Sequence, residues 1–406
     1  MAWIRGVGVV SALGRDWPTT ARALAQGRSG IAPITRFDAT GMPCEVASVI
    51  DESPVGDRRV QLAKLAVAEA WQTAQVAGGA RAGVFVGAES GLACWAAAWD
   101  LSRAGGASSR PEKEPAGERR ARIDRAAFAS HPEAAIAWAD PRRTSTPAVA
   151  WAIAQQVGAG GPCRTVALAC ASGAAAILEA VRALRAGTCD TAVCVGVGAD
   201  VDALMLAAFG RLGALSARGR SVPFDLDRDG FVLGEGAAAL VLSIDRGDAT
   251  VCLAGGARSL DGGSLTAPDP DSDGARRAIA GAIDDAGGPA IGYVAAHGTS
   301  TPAGDAAEAL ALRTVLGGDL GGARVGAVKS ALGHWIAGAG TLGAVCAWHA
   351  VAHGELLPTI GVDRIADDCA MPHVLNVAER ARVDAALACS FGFGGANACV
   401  VVTRAA

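Results

Sequence analysis

The chain has 406 residues, of which 51% are hydrophobic, 4% are aromatic and 19% are charged. Its length fits about two to three domains or one large duplicated domain, and its apolar content excludes an intrinsically disordered chain. With 36 basic and 40 acidic residues the net charge is −4, so no overall basic field favours binding to nucleic acid or to an anionic membrane.

The sequence also argues against secretion, a membrane span and a disulfide framework. Arg5 interrupts the N-terminal apolar run, which is too short for a secretory signal. The longest nearly uncharged stretch, 335–352, contains His349 and several glycines, and we interpret it as a buried helix. The 11 cysteines include no CxxC pair, which argues against paired disulfides and a structural zinc site. We therefore expect a cytoplasmic protein with mostly buried, free thiols.

Short apolar runs alternate with alanine-rich helical segments along most of the chain. This alternation is typical of an α/β protein whose strands are mostly parallel and buried. The runs that predict strands are 83–87, 165–169, 191–199, 237–243, 293–296 and 323–328.

Two segments share one plan, which suggests an internal duplication. Each has a strand, a turn of small residues and a long helix, and the helices end at Gly187 and Gly354. The two halves, 1–245 and 246–406, would join near residues 243–251. Residues 103–143 are rich in charge, Pro, Gly and Ser, and we interpret them as a surface excursion with one helix near 121–128.

Two patterns imitate ligand-binding loops. Asp225, Asp227 and Asp229 are spaced as in a calcium loop, but Gly236 takes the position of the required glutamate, which favours a structural turn. The run GAGTLG at 338–343 has the spacing of a dinucleotide loop, but it lies within a predicted helix and indicates close helix packing. The sequence predicts no metal and no cofactor.

Three residues at the ends of predicted strands form a candidate catalytic set. Cys170 follows the strand 165–169 and begins a helix, whose dipole would stabilise a thiolate, although a buried structural thiol is the alternative. His297 and His334 each follow a strand, where open α/β sheets place ligands, although either alone could be a core histidine. Two neutral imidazoles that donate to one oxygen would suit an enolate formed by decarboxylation.

Further polar and aromatic residues follow the same strand ends. Lys329 lies in an apolar segment and needs a carboxylate partner, for which Asp305 and Glu308 are candidates. Both acids also fit a capping box, with Asp305 as N-cap, for a helix that ends at Gly317. Phe393 lies in a glycine turn between two C-terminal strand-like runs, and its amide is either structural or a second oxyanion donor beside that of Cys170.

Six motifs in order resemble the β-ketoacyl synthase family of the thiolase superfamily, the elongating condensing enzymes of fatty acid and polyketide synthesis. The motifs are GVGVVSALG, ACASG, PFDLDRDGFVLGEG, HGTSTPAGD, KSALGH and SFGFGGANA, and together they span nearly the whole chain. The resemblance implies a duplicated, five-layered αβαβα thiolase-like fold. It also implies a homodimer, or a heterodimer with a related ketosynthase-like chain.

The resemblance implies a role for each candidate residue. Cys170 would carry the acyl thioester, and His297 and His334 would act on a malonyl unit held by an acyl carrier protein. Lys329 would order the second histidine, Asp305 and Glu308 would complete a supporting polar cluster, and Phe393 would be a gate beside the oxyanion hole. The reaction would be a decarboxylative condensation of acyl and malonyl thioesters.

A basic helix is the candidate docking surface for the carrier protein. Arg58, Arg59 and Lys64 open a helical segment whose apolar stripe includes Leu62 and Ala66, so the charged groups would face solvent. The alternative is an ordinary solvated helix face. Relatives present basic residues on a helix at this place, which favours docking.

Two other functions remain open at this point. A thiolase or another acyltransferase could use the same cysteine, and Cys389 would be the second cysteine that a thiolase needs. A partner subunit of the chain-length-factor type generally lacks the nucleophile, so the intact Cys170 argues against it.

Overall fold

The computed structural model describes residues 1–51, 57–89 and 146–405. The predicted excursion at 103–143 and its helix near 121–128 lie outside these residues. The strands within the described ranges are β1 (Ala2–Val10), β2 (Ile31–Pro33), β3 (Val46–Ser48), β4 (Ala82–Gly87), β5 (Cys163–Val166), β6 (Thr191–Gly198), β7 (Gly236–Ser243), β8 (Val251–Leu260), β9 (Tyr293–Ala295), β10 (Arg324–Gly326), β11 (Glu355–Leu356), β12 (Glu379–Arg380), β13 (Ala385–Gly392) and β14 (Ala396–Arg404).

The α-helices connect these strands and cover both faces of the main sheet. In chain order they are α1 (Trp17–Ala25), α2 (Arg58–Ala74), α3 (Pro147–Val157), α4 (Ser172–Arg185), α5 (Ala203–Arg211), α6 (Asp273–Asp285), α7 (Pro302–Leu316), α8 (Lys329–Leu332) and α9 (Ala339–His353). No helix within the described ranges is both long and apolar enough to span a membrane.

Ten strands form one continuous sheet in the order β10-β9-β13-β14-β8-β1-β7-β6-β4-β5. Five of them come from each half of the chain. The two sets meet where the start of β1 pairs with β8, through Ala2 opposite Leu253 and Trp3 opposite Cys252.

The prediction of mostly parallel strands is wrong. Among the described strands of the main sheet, parallel pairing is confined to β4 with β5 and β6, and to β9 with β10 and β13. The remaining pairs of the main sheet are antiparallel, including β6 with β7 and β13 with β14. A strand that is buried on both faces is apolar whatever its direction, so hydrophobicity alone does not reveal how it pairs. Only three residues connect β13 to β14, and such a short connection requires an antiparallel pair.

The helices and the sheet form five layers, in which the two halves of the sheet are the two β layers. Helices α2 and α3 cover the outer face of the N-terminal half of the sheet, and α6 covers that of the C-terminal half, with α7 packed on α6. Helices α4 and α9 lie between the halves, and each contacts strands of both. This is the predicted αβαβα arrangement of a thiolase-like fold.

The two central helices approach each other closely at glycines. A Cβ atom added at Gly340 would lie 2.5 Å from the amide nitrogen of Ala174, and one added at Gly173 would lie 2.6 Å from Oγ1 of Thr341. The interpretation of 338–343 as helix packing is thus confirmed. The predicted buried helix at 335–352 is also present, as a short 3₁₀ turn followed by α9.

Both segments of the suggested duplication follow the predicted plan. Strand β5 leads through a turn to α4, and β10 leads through α8 to α9. Gly187 and Gly354 follow these helices with φ of 68° and 64°, a conformation that favours glycine. The first strand ends at Val166, three residues before the predicted end, so Cys170 lies in a turn of its own.

Candidate active site

Cys170 lies in a tight turn between β5 and α4. The preceding residue, Ala169, has φ of 46°, a left-handed conformation that is uncommon for a residue with a Cβ atom. Ser172 holds this turn, because its Oγ accepts from the amide of Leu168 at 2.8 Å and donates to the carbonyl of Ala169 at 2.6 Å. The same Oγ lies 3.1 Å from Oε1 of Glu89. Neither Ser172 nor Glu89 was predicted from the sequence, although serine is common at helix starts, and Ser172 is the first residue of α4.

The environment of the Cys170 sulfur combines burial with converging donors. Burial raises the pKa of Cys170 to about 12, and the charge of Lys329 and hydrogen bonds from the amides of Phe393 and Cys170 itself lower it. The two amides therefore face the sulfur, where an oxyanion hole for a thioester on this sulfur is needed. Gly392 permits this approach, since a Cβ atom there would lie 3.0 Å from the Cys170 nitrogen.

His334 contacts Cys170 directly. Its Nε2 lies 3.0 Å from Sγ of Cys170, and its Nδ1 accepts from the amide of Ile336 at 3.2 Å. Burial, followed by the charge of Lys329, moves the pKa of His334 well below its usual value. The ring is therefore neutral, and because Nδ1 accepts, its single hydrogen is on Nε2.

His297 completes the set. Its ring lies 5.5 Å from that of His334, centroid to centroid and nearly perpendicular. Burial, then the charges of Lys329 and His334, lower the pKa of His297 well below its usual value. Lys329 Nζ lies 3.5 Å from Nδ1 of His297, so this ring also carries its hydrogen on Nε2.

Cys170, His297 and His334 are residue types that can bind a metal ion, and they lie close together. One ring nitrogen from each histidine and the Cys170 sulfur all lie within 4.8 Å of one another. The chemistry of the donors points elsewhere, because both Nε2 atoms carry hydrogen and Lys329 places a positive charge beside them. The arrangement suits two hydrogen-bond donors that converge on an oxygen atom.

The structure gives Lys329 a different histidine partner from the expected one. The resemblance implies that Lys329 orders the second histidine, His334, but its Nζ donates to the carbonyl oxygen of His297 and lies beside the Nδ1 of that ring. The negative charges of Glu308 and Asp305 raise the pKa of Lys329 against the larger lowering by burial. Lys329 thus acts directly on His297 and only electrostatically on His334.

Asp305 and Glu308 do not form a capping box. Helix α7 begins at Pro302, with Thr301 as N-cap, because proline is favoured in the first turn. Asp305 instead accepts from three amides of neighbouring loops, those of Phe224, Thr299 and Ser300. Glu308 accepts from the amides of His297 and Gly298 at 2.6 and 2.7 Å. Both carboxylates therefore hold the backbone that presents His297, and the helix ends at Gly317 as predicted.

A cavity of about 430 Å³ leads to the three candidate catalytic residues. Phe393 lines it together with Phe209, and their ring centroids are 6.2 Å apart. The ring of Phe391 contacts that of His297, with their centroids 5.7 Å apart. The lining also includes Phe231, Leu265, Thr299, Thr301 and Ile336.

The prediction that Arg58 and Arg59 face solvent is wrong. Arg58 and Arg59 are 8% and 4% exposed, and their side chains are not in solvent. Arg58 forms a buried ion pair with Glu235, and Arg59 pairs with Asp57 at 2.6 Å. Lys64 alone of the three is exposed. The burial of Arg58 could not be predicted, because its carboxylate partner Glu235 is 177 residues away along the chain.

The fold and the Cys-His-His set define a condensing-enzyme type of site in a thiolase-like scaffold. Comparisons with known proteins agree. The profile of the β-ketoacyl synthase N-terminal domain matches residues 47–246, and that of the C-terminal domain matches residues 251–363. The chain belongs to the β-ketoacyl synthase family, whose members are acyltransferases.

Individual relatives are similar over nearly their whole length. A 3-oxoacyl-[acyl-carrier-protein] synthase 2 of Synechocystis sp. is 32% identical, over 97% of this chain and 95% of the relative. The enzyme of the same name from Coxiella burnetii is 30% identical, over 99% and 98%. A solved structure described as the ishigamide ketosynthase/chain length factor has a TM-score of 0.86 and 31% identity, over 100% of this chain and 99% of that chain.

Proposed function

We propose that the protein is a β-ketoacyl-[acyl-carrier-protein] synthase of fatty acid or polyketide synthesis. It condenses an acyl group on Cys170 with a malonyl unit on a carrier protein and releases carbon dioxide. One observation carries this proposal: His334 Nε2 lies 3.0 Å from the Cys170 sulfur, with a second neutral histidine beside it.

In the first half-reaction the Cys170 sulfur attacks the acyl thioester. The carbonyl oxygen becomes negative and accepts from the amides of Cys170 and Phe393, which face the sulfur. The carrier thiol leaves with the proton that Cys170 gives up, and the acyl group remains on Cys170. Phe393 lines the cavity at this point, which supports its proposed role as the gate.

In the second half-reaction the malonyl thioester loses carbon dioxide. The resulting enolate oxygen accepts hydrogen bonds from Nε2 of His297 and of His334, and Lys329 keeps His297 in the donating tautomer. The enolate carbon then attacks the acyl carbonyl on Cys170. The β-ketoacyl product leaves on the carrier, and the cysteine recovers one proton from solvent.

Mass spectrometry and labelled substrate test this reaction. Intact mass after incubation with an acyl carrier protein should show an acyl adduct on the wild type and none on Cys170→Ala. His334→Ala should retain loading but lose release of labelled carbon dioxide from carboxyl-labelled malonyl carrier. Absence of the Cys170 adduct, or loss of loading and decarboxylation together in His334→Ala, would remove the assigned roles.

The alternatives have less support. A thiolase needs a second catalytic cysteine, but Cys389 is 4% exposed, faces Cys399 and is not among the described residues that line the cavity. A partner subunit that lacks activity would not need Cys170, His297 and His334 in one cluster. Release of labelled carbon dioxide separates both from the synthase.

The protein would act as a dimer and engage an acyl carrier protein. Strand β5 ends the main sheet with β4 as its one neighbour among the described strands, and Cys163 and Arg164 on it are exposed. An edge strand of this kind presents free amide and carbonyl groups to a second chain. That chain would be another copy or a related ketosynthase-like subunit. The exposed Lys64 remains a candidate carrier contact.

Compartment and domain organisation complete the proposal. The ten described cysteines are all free, which supports a reducing cytoplasm. We divide the chain into halves at residues 245 and 246, and the junction falls between β7 and β8. The first half supplies Cys170 and the second supplies both histidines.

A further inference from the structure

Two buried cysteines face each other across the hairpin that carries the glycine turn of the site. Cys389 on β13 is directly opposite Cys399 on β14, and both thiols are free. They are 4% and 0% exposed and belong to the apolar cluster under α6 and α7. A side-chain hydrogen bond with Cys399, followed by burial, raises the pKa of the Cys389 thiol well above its usual value.

The backbone places the pair within reach of a disulfide. Cα atoms of directly opposite residues in an antiparallel pair are about 4.5 or 5.5 Å apart, depending on the type of pair. Disulfides span Cα distances of roughly 4.4 to 6.8 Å, so either type allows the bond without moving the strands apart or together by much. Both side chains leave the sheet on the same face, as the bond requires.

We propose that Cys389 and Cys399 form a reversible intrachain disulfide, an oxidation site separate from the nucleophile Cys170. The oxidant is a small peroxide. One thiol is oxidised to a sulfenic acid while the peroxide oxygen–oxygen bond breaks and one water leaves. The other thiol then attacks that sulfur, a second water leaves, and the two sulfurs have together lost two electrons and two protons.

The cavity ends close to the pair, although neither Cys389 nor Cys399 lines it. Phe391, two residues after Cys389, lines the cavity, and so does Glu308, whose charge acts on the Cys389 thiol. A peroxide is close to water in size and fits a cavity of about 430 Å³. Larger disulfide reagents do not reach thiols that are this deeply buried, which makes the site selective for small oxidants.

The disulfide would act on the site through the hairpin. Ser390, next to Cys389, donates to the carbonyl oxygen of Cys170 at 3.0 Å. Phe391, on the same strand face as Cys389, contacts the His297 ring. The bond fixes both cysteine side chains in one geometry, and we expect this to shift Ser390 and Phe391 slightly even though the strands keep their spacing. We expect at least a threefold loss of condensation rate, which dithiol reductants reverse. This part of the inference rests on the proposed function.

Peptide mapping tests the bond independently of activity. Cys389 and Cys399 are the only cysteines between Arg382 and Arg404, so trypsin releases both in one peptide. In Cys170→Ala protein treated with hydrogen peroxide and then alkylated after denaturation, this peptide should lack both alkyl groups and be two hydrogens lighter than the dithiol form. Further cleavage after Phe391 and Phe393 should leave its pieces linked.

The controls make either result decisive. Cys399→Ala should never give linked pieces, and oxidation of the partly exposed Met371 to its sulfoxide reports that the oxidant reached the protein. Alkylation of both Cys389 and Cys399 while Met371 is oxidised would overturn the proposal, as would oxidation of Cys389 without a link. If the link forms but Cys399→Ala loses activity to peroxide as readily as the wild type, the hairpin effect is wrong while the site stands.

Discussion

At the scale of single residues, one buried charge organises the candidate site. Lys329 is 6% exposed, and its ammonium group lies against the carbonyl and Nδ1 of His297. The same charge lowers the pKa of Cys170, His297 and His334. Because both histidines stay neutral, each keeps one ring hydrogen, which the proposed reaction would donate to a substrate oxygen. The cost of burying the lysine is offset by carboxylates that also hold the loop of His297.

Asp200 is a buried carboxylate that the proposed reaction does not use. Burial, together with the charges of Asp202 and Glu89, raises the pKa of Asp200 to about 7, although Arg59 opposes this and Glu235 adds to it. The folded state therefore holds a proton that the unfolded state releases near pH 4. This stabilising contribution is complete below pH 4 and is lost as the pH rises to about 7.

Asp200→Asn should remove this pH dependence. The free energy of unfolding of the variant minus that of the wild type should rise by about 1–3 kcal/mol from pH 5 to pH 8. Chemical denaturation at several pH values measures the difference. Any cost of burying the asparagine side chain changes the free energy of unfolding of the variant by the same amount at every pH, so it does not affect this rise. A difference between variant and wild type that does not change with pH would contradict the raised pKa of Asp200.

At the scale of secondary-structure elements, the α4–α9 contact depends on particular glycines. Gly340 and Gly343 lie on the same helix, but an added methyl group meets different surroundings. At Gly340 it would lie 2.5 Å from the Ala174 nitrogen, whereas at Gly343 its nearest neighbour is the Ala388 Cβ at 3.7 Å. The first position requires the helices to separate, and the second does not.

The two glycine-to-alanine variants should therefore change stability in opposite directions. Gly340→Ala should lower the free energy of unfolding by about 1–3 kcal/mol through overpacking and backbone shifts. Gly343→Ala should raise it by about 0.5–1 kcal/mol, because alanine is the better helix former. Denaturant titration of both proteins measures the pair. Equal effects of the two variants would show that the helices do not pack as described.

Helix α2 gives a second test, because the burial of its arginines replaces the docking interpretation. Charge reversal of Arg58 and Arg59 would place carboxylates beside Glu235 and Asp57 inside the protein. Breaking a buried ion pair costs about 3–5 kcal/mol, so the double variant should unfold at much lower temperature. Its activity on carrier-bound and small thioester substrates should fall together.

Lys64→Glu is the matched control on the same helix. Lys64 is exposed, and exposed substitutions usually change stability by no more than about 0.5 kcal/mol. Its thermal unfolding should match that of the wild type. If the double reversal at Arg58 and Arg59 instead keeps its stability and raises only the KM for the carrier protein, the buried ion pairs are wrong.

The sequence predicted features that depend on local order and missed those that depend on distant partners. Cys170, His297 and His334 each follow a strand within one short motif, so their places could be predicted. Arg58 has its partner 177 residues away at Glu235, and nothing near either residue reveals the pair. The partner of Lys329 was missed for a related reason, because the turn that precedes His334 brings the lysine against a different strand end.

At the scale of the whole molecule, the two halves share one interior. Helix α4 belongs to the first half but also contacts β8 and β14, and α9 belongs to the second half but also contacts β6 and β7. The halves also share sheet pairing at Ala2 and Trp3. Neither half can bury its central helix alone, because one face of that helix packs on the other half.

Residues 1–245 and 246–406, expressed separately, should therefore fail to fold independently. Each fragment should show poor dispersion of amide signals in NMR spectra and no cooperative thermal transition, since a helix layer exposed on one face favours aggregation. Co-expression should restore a complex, because the surfaces that each half lacks are then supplied. Acyl loading and release of carbon dioxide should appear only in that complex, since Cys170 comes from one fragment and His297 and His334 from the other. Two fragments that each unfold cooperatively would show that the halves are independent domains, and that the central helices contribute less to folding than their position in the fold indicates.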